Sequence, residues 1–295
     1  MPSTREIRRR IRSVKNMAQI TKAMQMVASS KMRRAQERVQ EARPYAEQLR
    51  GLVSRLARAS EEDIGSEAVL LAQRPVRNIG YVLLSPDRGL CGALPSNINR
   101  RAASSALEQQ RKAAENGERP GVDYIAVGRK GRDFIVRTRQ HLIAEFTNYG
   151  DRPSITDASA IAQVAVDAFV KEEVDVVYLV YPKFINTMTQ QPVVVQLLPV
   201  QPPEGEGQPE KMDYIYEPDP AQIFQALLPR YVDVQVYQAL LETIASFYSA
   251  QMVAMKNATD NANELIQDLT LTYNKARQAS ITTQILEVVA GSQAT

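Results

Sequence analysis

Two short loops and a few reactive side chains are the parts of this sequence that could do chemistry. Residues 89–92 (GLCG) follow an apolar run of strand length and precede a helical pattern, which is where loops that bind phosphate lie. They have neither the GxGxxG spacing nor the lysine of a Walker loop, so a tight strand-to-helix turn is the competing interpretation. Residues 128–131 (GRKG) allow the same two interpretations: contact with phosphate, or a turn with a basic edge.

Cys91 is the only cysteine and His141 the only histidine in the chain. One thiol excludes an internal disulfide and a Cys-based zinc site, and one imidazole excludes a multi-histidine metal cluster. Cys91 could act as a nucleophile beside Arg88, but no base lies near it in sequence, and a small buried thiol is the alternative. Three aspartates lack metal-ligand spacing: Asp157, Asp167 and Asp175. We therefore predict no independent catalytic centre, no cofactor and no metal site.

Two long helical segments are predicted, one near each end of the chain, and the loops and side chains discussed above lie between them. In both, apolar or small residues recur at alternating spacings of four and three, a heptad pattern typical of paired helices. The N-terminal seam comprises Ile7, Ile11, Val14, Ala18, Thr21, Gln25, Ala28, Met32, Ala35, Val39, Ala42, Ala46, Leu49, Val53 and Leu56. The C-terminal seam comprises Leu241, Ala245, Tyr248, Met252, Met255, Thr259, Ala262, Ile266, Leu269, Tyr273 and Ala276. Because neither helix can bury its stripe alone, we predict that residues 3–58 and 230–295 form a long antiparallel coiled coil, with Pro44 kinking or breaking the first helix.

Between the two helices the pattern changes to strands alternating with helices. The predicted strands are residues 78–85, 123–127, 142–146, 174–181 and 192–200. The predicted helices are 94–115, a short one that follows the turn at 128–131 and ends at about residue 137, and 156–172. This alternation indicates an α/β fold with a mainly parallel, Rossmann-like βαβ sheet inserted into the coiled coil. The predicted domains are a discontinuous shaft (1–60 and 215–295), an α/β domain (75–200) and a polar, proline-rich mobile loop (201–213).

Charge is distributed unevenly, although the formal net charge is only +3. Residues 1–43 contain twelve Lys or Arg against three Glu, whereas residues 252–295 contain three basic and four acidic residues. A basic helix can bind nucleic acid or an acidic protein surface, or can simply be solvated. No aromatic residue precedes Tyr45, so no ring is available to stack on bases beside these arginines.

The sequence shows no membrane attachment of its own. No apolar stretch approaches the ~20 residues needed to span a bilayer. The arginine-rich N-terminus lacks the apolar core of a secretory signal. We therefore expect a protein of a reducing compartment that meets a membrane only through partners.

Motifs at both ends and in the middle of the chain point to one family. They are residues 20–24 (ITKAM), 27–32 (VASSKM), 87–92 (DRGLCG), 214–218 (YIYEP), 252–262 (MVAMKNATDNA), 269–279 (LTLTYNKARQA) and 281–291 (ITTQILEVVAG). In these segments the chain resembles the gamma subunit of F-type ATP synthase, over essentially its whole length. That family often has an acidic residue at Phe247, arginine at Gln251, glutamate at Gln284 and alanine at Ser292, so individual polar contacts differ here. Its chloroplast branch carries a cysteine pair that acts as a thiol switch, and because Cys91 is alone the resemblance is to the bacterial type.

The resemblance implies a rotor shaft without catalytic activity of its own. The coiled coil would stand inside a ring of three alpha and three beta subunits, with the α/β domain beside the epsilon subunit on the membrane c-ring. Its rotation would couple proton flow through the c-ring to changes at the three beta-subunit catalytic sites. The implied location is peripheral, on the cytoplasmic face of a bacterial plasma membrane, with no contact to nucleic acid and none to lipid except through the c-ring.

The same resemblance assigns residues to the interface with the alpha and beta subunits. Residues that face acidic lever loops of the beta subunits are Lys22, Met24, Lys31, Arg33 and Arg34. Residues near a catch loop and in the apolar bearing beyond it are Arg277, Gln278, Thr282 and Gln284. The seam residues that hold the shaft together include Ile7, Ile11, Val14, Met32, Val39, Met252, Met255, Ile266, Leu269 and Tyr273.

Two alternatives remain at this point. One is a coiled-coil protein associated with nucleic acid, which the basic first helix favours. The other is a βαβ nucleotide enzyme with a helical dimerisation arm, which would need turnover by the isolated chain. Salt-sensitive binding to nucleic acid would distinguish the first, and measurable catalysis the second.

Overall fold

The computed structural model describes residues 3–59, 69–115, 120–201 and 220–293. Apart from Gln201, the predicted mobile loop lies outside the described residues, as does the 214–218 motif. The helices are α1 (Thr4–Ala59), α2 (Leu94–Glu115), α3 (Arg129–Arg137), α4 (Ile155–Val170) and α5 (Pro220–Gln293), and a 3₁₀ turn spans Val69–Leu71. The strands are β1 (Asn78–Leu84), β2 (Gly121–Val127), β3 (His141–Phe146), β4 (Val176–Phe184) and β5 (Gln190–Leu198).

The described chain divides into two compact units. The larger unit runs from Lys31 to Ala250 and contains the whole sheet. The smaller unit combines the start of α1, up to Ser30, with the end of α5, from Gln251. The predicted division into shaft and α/β domain places its boundaries elsewhere, inside the larger unit, and stays a prediction.

The two long helices span 56 and 74 residues. α1 continues through Pro44, so the predicted break does not occur, although proline removes one backbone hydrogen bond and crowds the carbonyl four residues earlier. α5 begins at Pro220, ten residues before the expected start, and runs through Pro229. Proline is suited to the first helical position, where an N–H would have no intrahelical partner.

The sheet has the strand order β3-β2-β1-β4-β5. β1 is parallel to β2 and β4, and β2 is parallel to β3, whereas β5 is antiparallel to β4. The predicted α/β fold class with a mainly parallel sheet is therefore confirmed. The register places Tyr81 of β1 between Tyr124 of β2 and Tyr178 of β4, with ring centroids 5.7 and 5.5 Å apart. These stacked rings join three strands across one face.

Both faces of the sheet are covered by helices. Val82 and Leu84 of β1 point into a core shared with α4 and the first part of α5. Tyr81 and Leu83 point into a second core shared with α2 and α3. Because successive side chains of a strand point to opposite faces, a strand buried on both sides becomes a continuous apolar run, as β1 is.

The loops that follow β1 and β2 are joined at the carboxyl edge of the sheet. The buried Ser85 hydroxyl accepts the Gly131 N–H at 2.7 Å and donates to the Val127 carbonyl at 3.2 Å. Gly128 has a φ of 95°, a conformation that residues with side chains rarely adopt. A Cβ added there would lie 1.9 Å from the Ser85 carbonyl oxygen, so only glycine lets the loops approach this closely.

In the smaller unit, the start of α1 pairs antiparallel with the end of α5. The Thr21 and Thr259 hydroxyl oxygens lie 2.7 Å apart. Nearer the start of α1, the Arg8 guanidinium donates to the Tyr273 hydroxyl and lies 5.4 Å from the centroid of its ring. Three small seam residues are buried: Ala18, Ala28 and Ala262. Small side chains at these positions allow the two backbones to approach closely.

Candidate functional site

The ten predicted seam residues all lose part of their exposure. Ile7, Val39 and Met255 are buried. The half-buried ones are Ile11, Val14, Met32, Met252, Ile266, Leu269 and Tyr273. Eight of the ten lie in the smaller unit, where the Thr21–Thr259 and Arg8–Tyr273 contacts set the register between the helices.

The predicted partner-binding residues of α1 lie mostly at the surface. Lys22, Arg33 and Arg34 are exposed, and Met24 is half-buried. Three neighbouring apolar side chains keep more than half of their area exposed: Met17 (56%), Ile20 (55%) and Val27 (57%). Apolar side chains exposed together beside cations form a surface that another protein can cover.

The end of α5 presents a second exposed surface. Arg277, Gln278, Thr282 and Gln284 are all exposed. Apolar side chains between and beyond them are exposed as well: Ile281, Ile285, Leu286 and Val288. Continuing the register set by Arg8 and Tyr273 brings the first residue of α1, Thr4, opposite about residue 277, so the rest of α5 extends past its partner helix.

Lys31 is half-buried, unlike the exposed Lys22, Arg33 and Arg34, and it pairs with a carboxylate 120 residues away in the sequence. Its Nζ donates to Asp151 Oδ2 at 2.5 Å and lies 3.4 Å from the Tyr248 hydroxyl. The Tyr248 hydroxyl donates to the other carboxylate oxygen, Oδ1. Arg38 Nη1 donates to the Asp151 backbone carbonyl at 3.2 Å. We call Lys31, Asp151 and Tyr248 the Asp151 cluster.

The contacts of the Asp151 cluster shift the pKa values of Asp151 and Tyr248. Burial alone raises the pKa of the Asp151 carboxyl, but the hydrogen bonds from Lys31 and Tyr248 outweigh burial, and the net effect is a lowered pKa. Burial raises the pKa of the Tyr248 phenol, and the hydrogen bond to the carboxylate raises it further. The stable arrangement is therefore an ionised Asp151 between an ammonium and a protonated phenol.

A cavity of about 270 Å³ lies at the carboxyl edge of the sheet, and its wall includes Asp87, Arg88, Asp151 and Phe247. Both of its carboxylates already accept hydrogen bonds on each oxygen. Asp87 accepts the backbone N–H groups of Arg129 and Asn148, each at 3.0 Å, and Asp151 accepts Lys31 and Tyr248. Both carboxylates are therefore oriented by partners within the chain.

The loops that suggested phosphate binding are occupied by contacts within the chain. At the start of α3, the N–H groups of Arg129, Lys130 and Gly131 donate to the Asp87 carboxylate, the Pro86 carbonyl and the Ser85 hydroxyl. Cys91 is buried, and burial raises the pKa of its thiol to about 11, so it stays protonated at neutral pH. Residues 89–92 and 128–131 thus fit the interpretation of strand-to-helix turns.

His141 and the three aspartates do not meet at one site. His141 lies at the start of β3, at the opposite edge of the sheet from residue 91, and its Nδ1 is 2.7 Å from Asp123 Oδ1. Asp157 caps α4 through the Ser154 hydroxyl and backbone, and Asp175 accepts the backbone N–H of Arg77 at 2.7 Å. Within the described residues, no group of three or more His, Cys, Asp or Glu side chains is placed to hold a metal ion.

Known proteins match the chain along its whole length. The family model described as ATP synthase matches residues 3–295. The ATP synthase gamma chain of Roseiflexus castenholzii is 50% identical over 296 residues, covering 100% of this chain and 99% of that relative. The gamma chain of Chloroflexus aurantiacus is 46% identical over 295 residues, with the same coverage of each.

The chain belongs to the ATP synthase gamma chain family.

Solved structures of ATP synthases contain the same fold as this gamma chain family member. A chain in the central stalk and c-ring structure of the Tetrahymena thermophila mitochondrial ATP synthase is 25% identical, with a TM-score of 0.57, covering 81% of this chain and 99% of that one. A chain in the OSCP, F1 and c-ring structure of the Euglena gracilis mitochondrial enzyme has a TM-score of 0.65 at 21% identity, covering 99% and 94%. At 21% identity, the similarity to the Euglena gracilis chain shows a shared fold only.

In the parts of the chain that the structure describes, every helix is too short or too polar to cross a bilayer.

Sequence reasoning missed the Asp151 cluster. Asp151 follows Gly150 in a loop, and its helical partners are 120 and 97 residues away in sequence. No spacing rule connects such positions. The local signal is a turn, since Asn148 and Gly150 have φ values of 64° and 71°.

We expect the Asp151 cluster to make the stability of this chain depend on acid pH. Because the folded-state pKa of Asp151 is lowered, its contribution is present above the unfolded-state pKa of about 3.9 and is lost as pH falls below it. Asp151→Asn should reduce the free energy of unfolding at pH 7 by no more than about 1 kcal/mol, because solvent screens this half-exposed pair.

Urea unfolding of both proteins between pH 3 and pH 7 checks this expectation. The difference between them should be largest at neutral pH and should shrink as the wild-type carboxylate is protonated. A difference that stays constant over this range would show that Asp151 is not held ionised by its neighbours.

Proposed function

We propose that this chain is the central rotor shaft of an F-type ATP synthase, which couples rotation of the membrane c-ring to conformational changes at the catalytic sites of the beta subunits. The observation that carries the proposal is the match to ATP synthase gamma chains over the full length of the chain, at up to 50% identity. The similar solved chains come from structures named for the central stalk, the rotor and the c-ring.

The helix pair has properties that such a shaft needs. Its seam contains small buried residues, which hold the two backbones close together. An antiparallel pair is not symmetric about its axis, so it presents a different surface in each direction. Inside a ring of otherwise equivalent subunits, it therefore contacts each one differently and stabilises a different conformation of each. Rotation then moves each catalytic site through the same series of states.

The exposed residues of the long helices are the proposed contacts with the alpha and beta subunits. Lys22, Met24, Arg33 and Arg34 supply cations and an apolar side chain on α1. Lys31 belongs to the same set, but its charge is already shared with Asp151. On α5 the proposed contacts are Arg277, Gln278, Thr282 and Gln284, among the exposed apolar residues that extend beyond α1. Burying these apolar side chains would favour association by the hydrophobic effect.

The chain is a subunit of the ATP synthase complex, and we propose that it has no catalytic activity of its own. The amide groups at the start of α3 are already occupied, and each carboxylate oxygen in the wall of the neighbouring cavity already accepts a hydrogen bond from within the chain. We further propose that the subunit is peripheral, on the cytoplasmic face of a bacterial plasma membrane, and reaches that membrane through the c-ring and the epsilon subunit. The alternative of a nucleic-acid-associated coiled coil is not supported by the relatives, which are gamma chains.

Affinity purification of the tagged full-length chain from its own cells tests the rotor assignment. We expect alpha, beta and epsilon subunits to co-purify and to remain bound in high salt, because much of the proposed interface is apolar. The purified complex should hydrolyse ATP, and the isolated chain should not. Recovery of nucleic acid that dissociates steeply with salt, without alpha and beta subunits, would contradict the assignment.

A further inference from the structure

Asp151 connects both long helices to one loop of the sheet. Its carboxylate accepts Lys31 of α1 at 2.5 Å and the Tyr248 hydroxyl of α5, one on each oxygen. Its backbone carbonyl accepts Arg38 of α1 at 3.2 Å. Lys31 Nζ also lies 5.3 Å from the centroid of the Tyr248 ring, so the two helices and the loop meet at one point.

The loop that carries Asp151 is fixed on both sides. Before Asp151, the Asn148 N–H donates to Asp87 at 3.0 Å, and the Tyr149 hydroxyl donates to the Ser85 carbonyl at 2.7 Å. After it, Ser154 starts α4 with a reciprocal capping box. A loop held at both ends by the sheet and by a helix start behaves as part of the rigid framework.

Other hydrogen bonds fasten α5 alone to the sheet. The Ser246 hydroxyl donates to the Pro182 carbonyl at 2.8 Å, and the Ser249 hydroxyl donates to the Thr187 carbonyl at 2.7 Å. Asp151 differs from these because it holds both helices at once. A contact that touches both helices resists their turning together against the sheet, whereas a contact to one helix does not restrain the other.

The position of the Asp151 cluster along α1 and α5 allows it to carry torque. The part of α1 that belongs to the larger unit begins at Lys31, and the part of α5 that belongs to it ends at Ala250. Lys31 and Tyr248 therefore lie in the terminal turns of these two helix segments. Torque applied to the sheet reaches the helices through the covalent chain and through side-chain contacts of this kind.

We propose that Asp151 is a positioning residue that transmits torque between the sheet and both long helices at the point where the helices leave the larger unit. This inference rests on the proposed function as a rotor shaft. The Asp151 carboxylate keeps α1 and α5 from turning relative to the sheet when torque is applied to the sheet.

The test compares Asp151→Asn with Glu145→Gln in complexes assembled with alpha and beta subunits. Both changes replace a carboxylate with an amide of nearly the same shape. Glu145 lies on the edge strand β3 and forms an exposed ion pair with Arg132 of α3 at 3.5 Å, so it is the matched control. A rod attached at an added cysteine, Met188→Cys, reports the rotor angle, because Met188 is 76% exposed.

We expect Asp151→Asn to widen the distribution of rotor angles during the pauses between ATP-driven steps. Charge-assisted hydrogen bonds are roughly twice as strong as neutral ones, so the variance of the angle should rise. The rise should stay below about twofold, because the apolar contacts of both helices in the cores of the sheet remain. ATP-driven proton pumping should fall relative to hydrolysis, while the amount of assembled complex stays at the wild-type level. Glu145→Gln should leave the variance unchanged.

A second variant, Tyr248→Phe, removes one hydrogen bond but keeps the ring, and should widen the distribution to a smaller extent. If Asp151→Asn does not assemble, the angle distribution of Tyr248→Phe tests the torque role. Assembled complexes of these variants with the wild-type variance would overturn the torque role and leave the rotor assignment intact. Failure of the unaltered chain to co-purify with alpha and beta subunits would overturn both.

Discussion

Gly128→Ala is expected to prevent the larger unit from folding. The added methyl group would lie 1.9 Å from the Ser85 carbonyl oxygen, and that carbonyl cannot retreat, because it accepts the Tyr149 hydroxyl and belongs to the loop directly after β1. The backbone φ of 95° adds strain of its own. We expect a loss of more than about 4 kcal/mol, a large part of the roughly 5–15 kcal/mol that stabilises an ordinary domain.

Gly92→Ala is the matched control for this substitution. Gly92 also has a positive φ, 60°, but an added Cβ would meet nothing within 4 Å. Its cost is therefore the backbone strain alone, about 1–3 kcal/mol. Soluble yield and urea unfolding of both proteins check the expectation. Similar stabilities of the two variants would show that the loops around Ser85 can move apart, contrary to the packing described for this edge.

The elements of this fold could be predicted because each leaves a local signal. The four-and-three spacing from Ile7 to Leu56 predicted α1 to within one residue of its observed bounds. The start of α5 could not be located in the same way, because Pro229 argues against a helix on local grounds. The helix runs through it because Phe224 and Leu228, on the earlier turns, are buried in the core beneath the sheet. Burial of these side chains outweighs the local preference.

The candidate site was less predictable than the fold, because its contacts join distant parts of the chain. In the sequence Lys22 and Lys31 are equivalent: each lies on the same basic helix and within a family motif. In the structure Lys22 is exposed, whereas Lys31 is half-buried against a carboxylate 120 residues away. Only the folded arrangement of α1, α5 and the loop after β3 distinguishes them. Local patterns therefore indicated which helix carries the site but not which of its cations are already paired.

Ala28→Leu is expected to separate the two helices of the smaller unit. Ala28 is 1% exposed, and the register set by Thr21 and Thr259 brings it opposite about Met252. A leucine adds three carbon atoms where the closeness of two backbones leaves no room. Overpacking of this kind costs about 1–3 kcal/mol, a large share of the stability of a helix pair that has no other core.

Ala23→Leu makes the same chemical change at an exposed position on the same helix, and leucine and alanine have similar helix propensities. Thermal unfolding followed by circular dichroism at the helix minimum should show an earlier loss of helix for Ala28→Leu and almost no change for Ala23→Leu. Because the proposed shaft must enter a ring of fixed width, Ala28→Leu should also lower the yield of complex with alpha and beta subunits. Equal melting of the two variants would mean that the seam at Ala28 is not closely packed, and the small residues along it would then need another explanation.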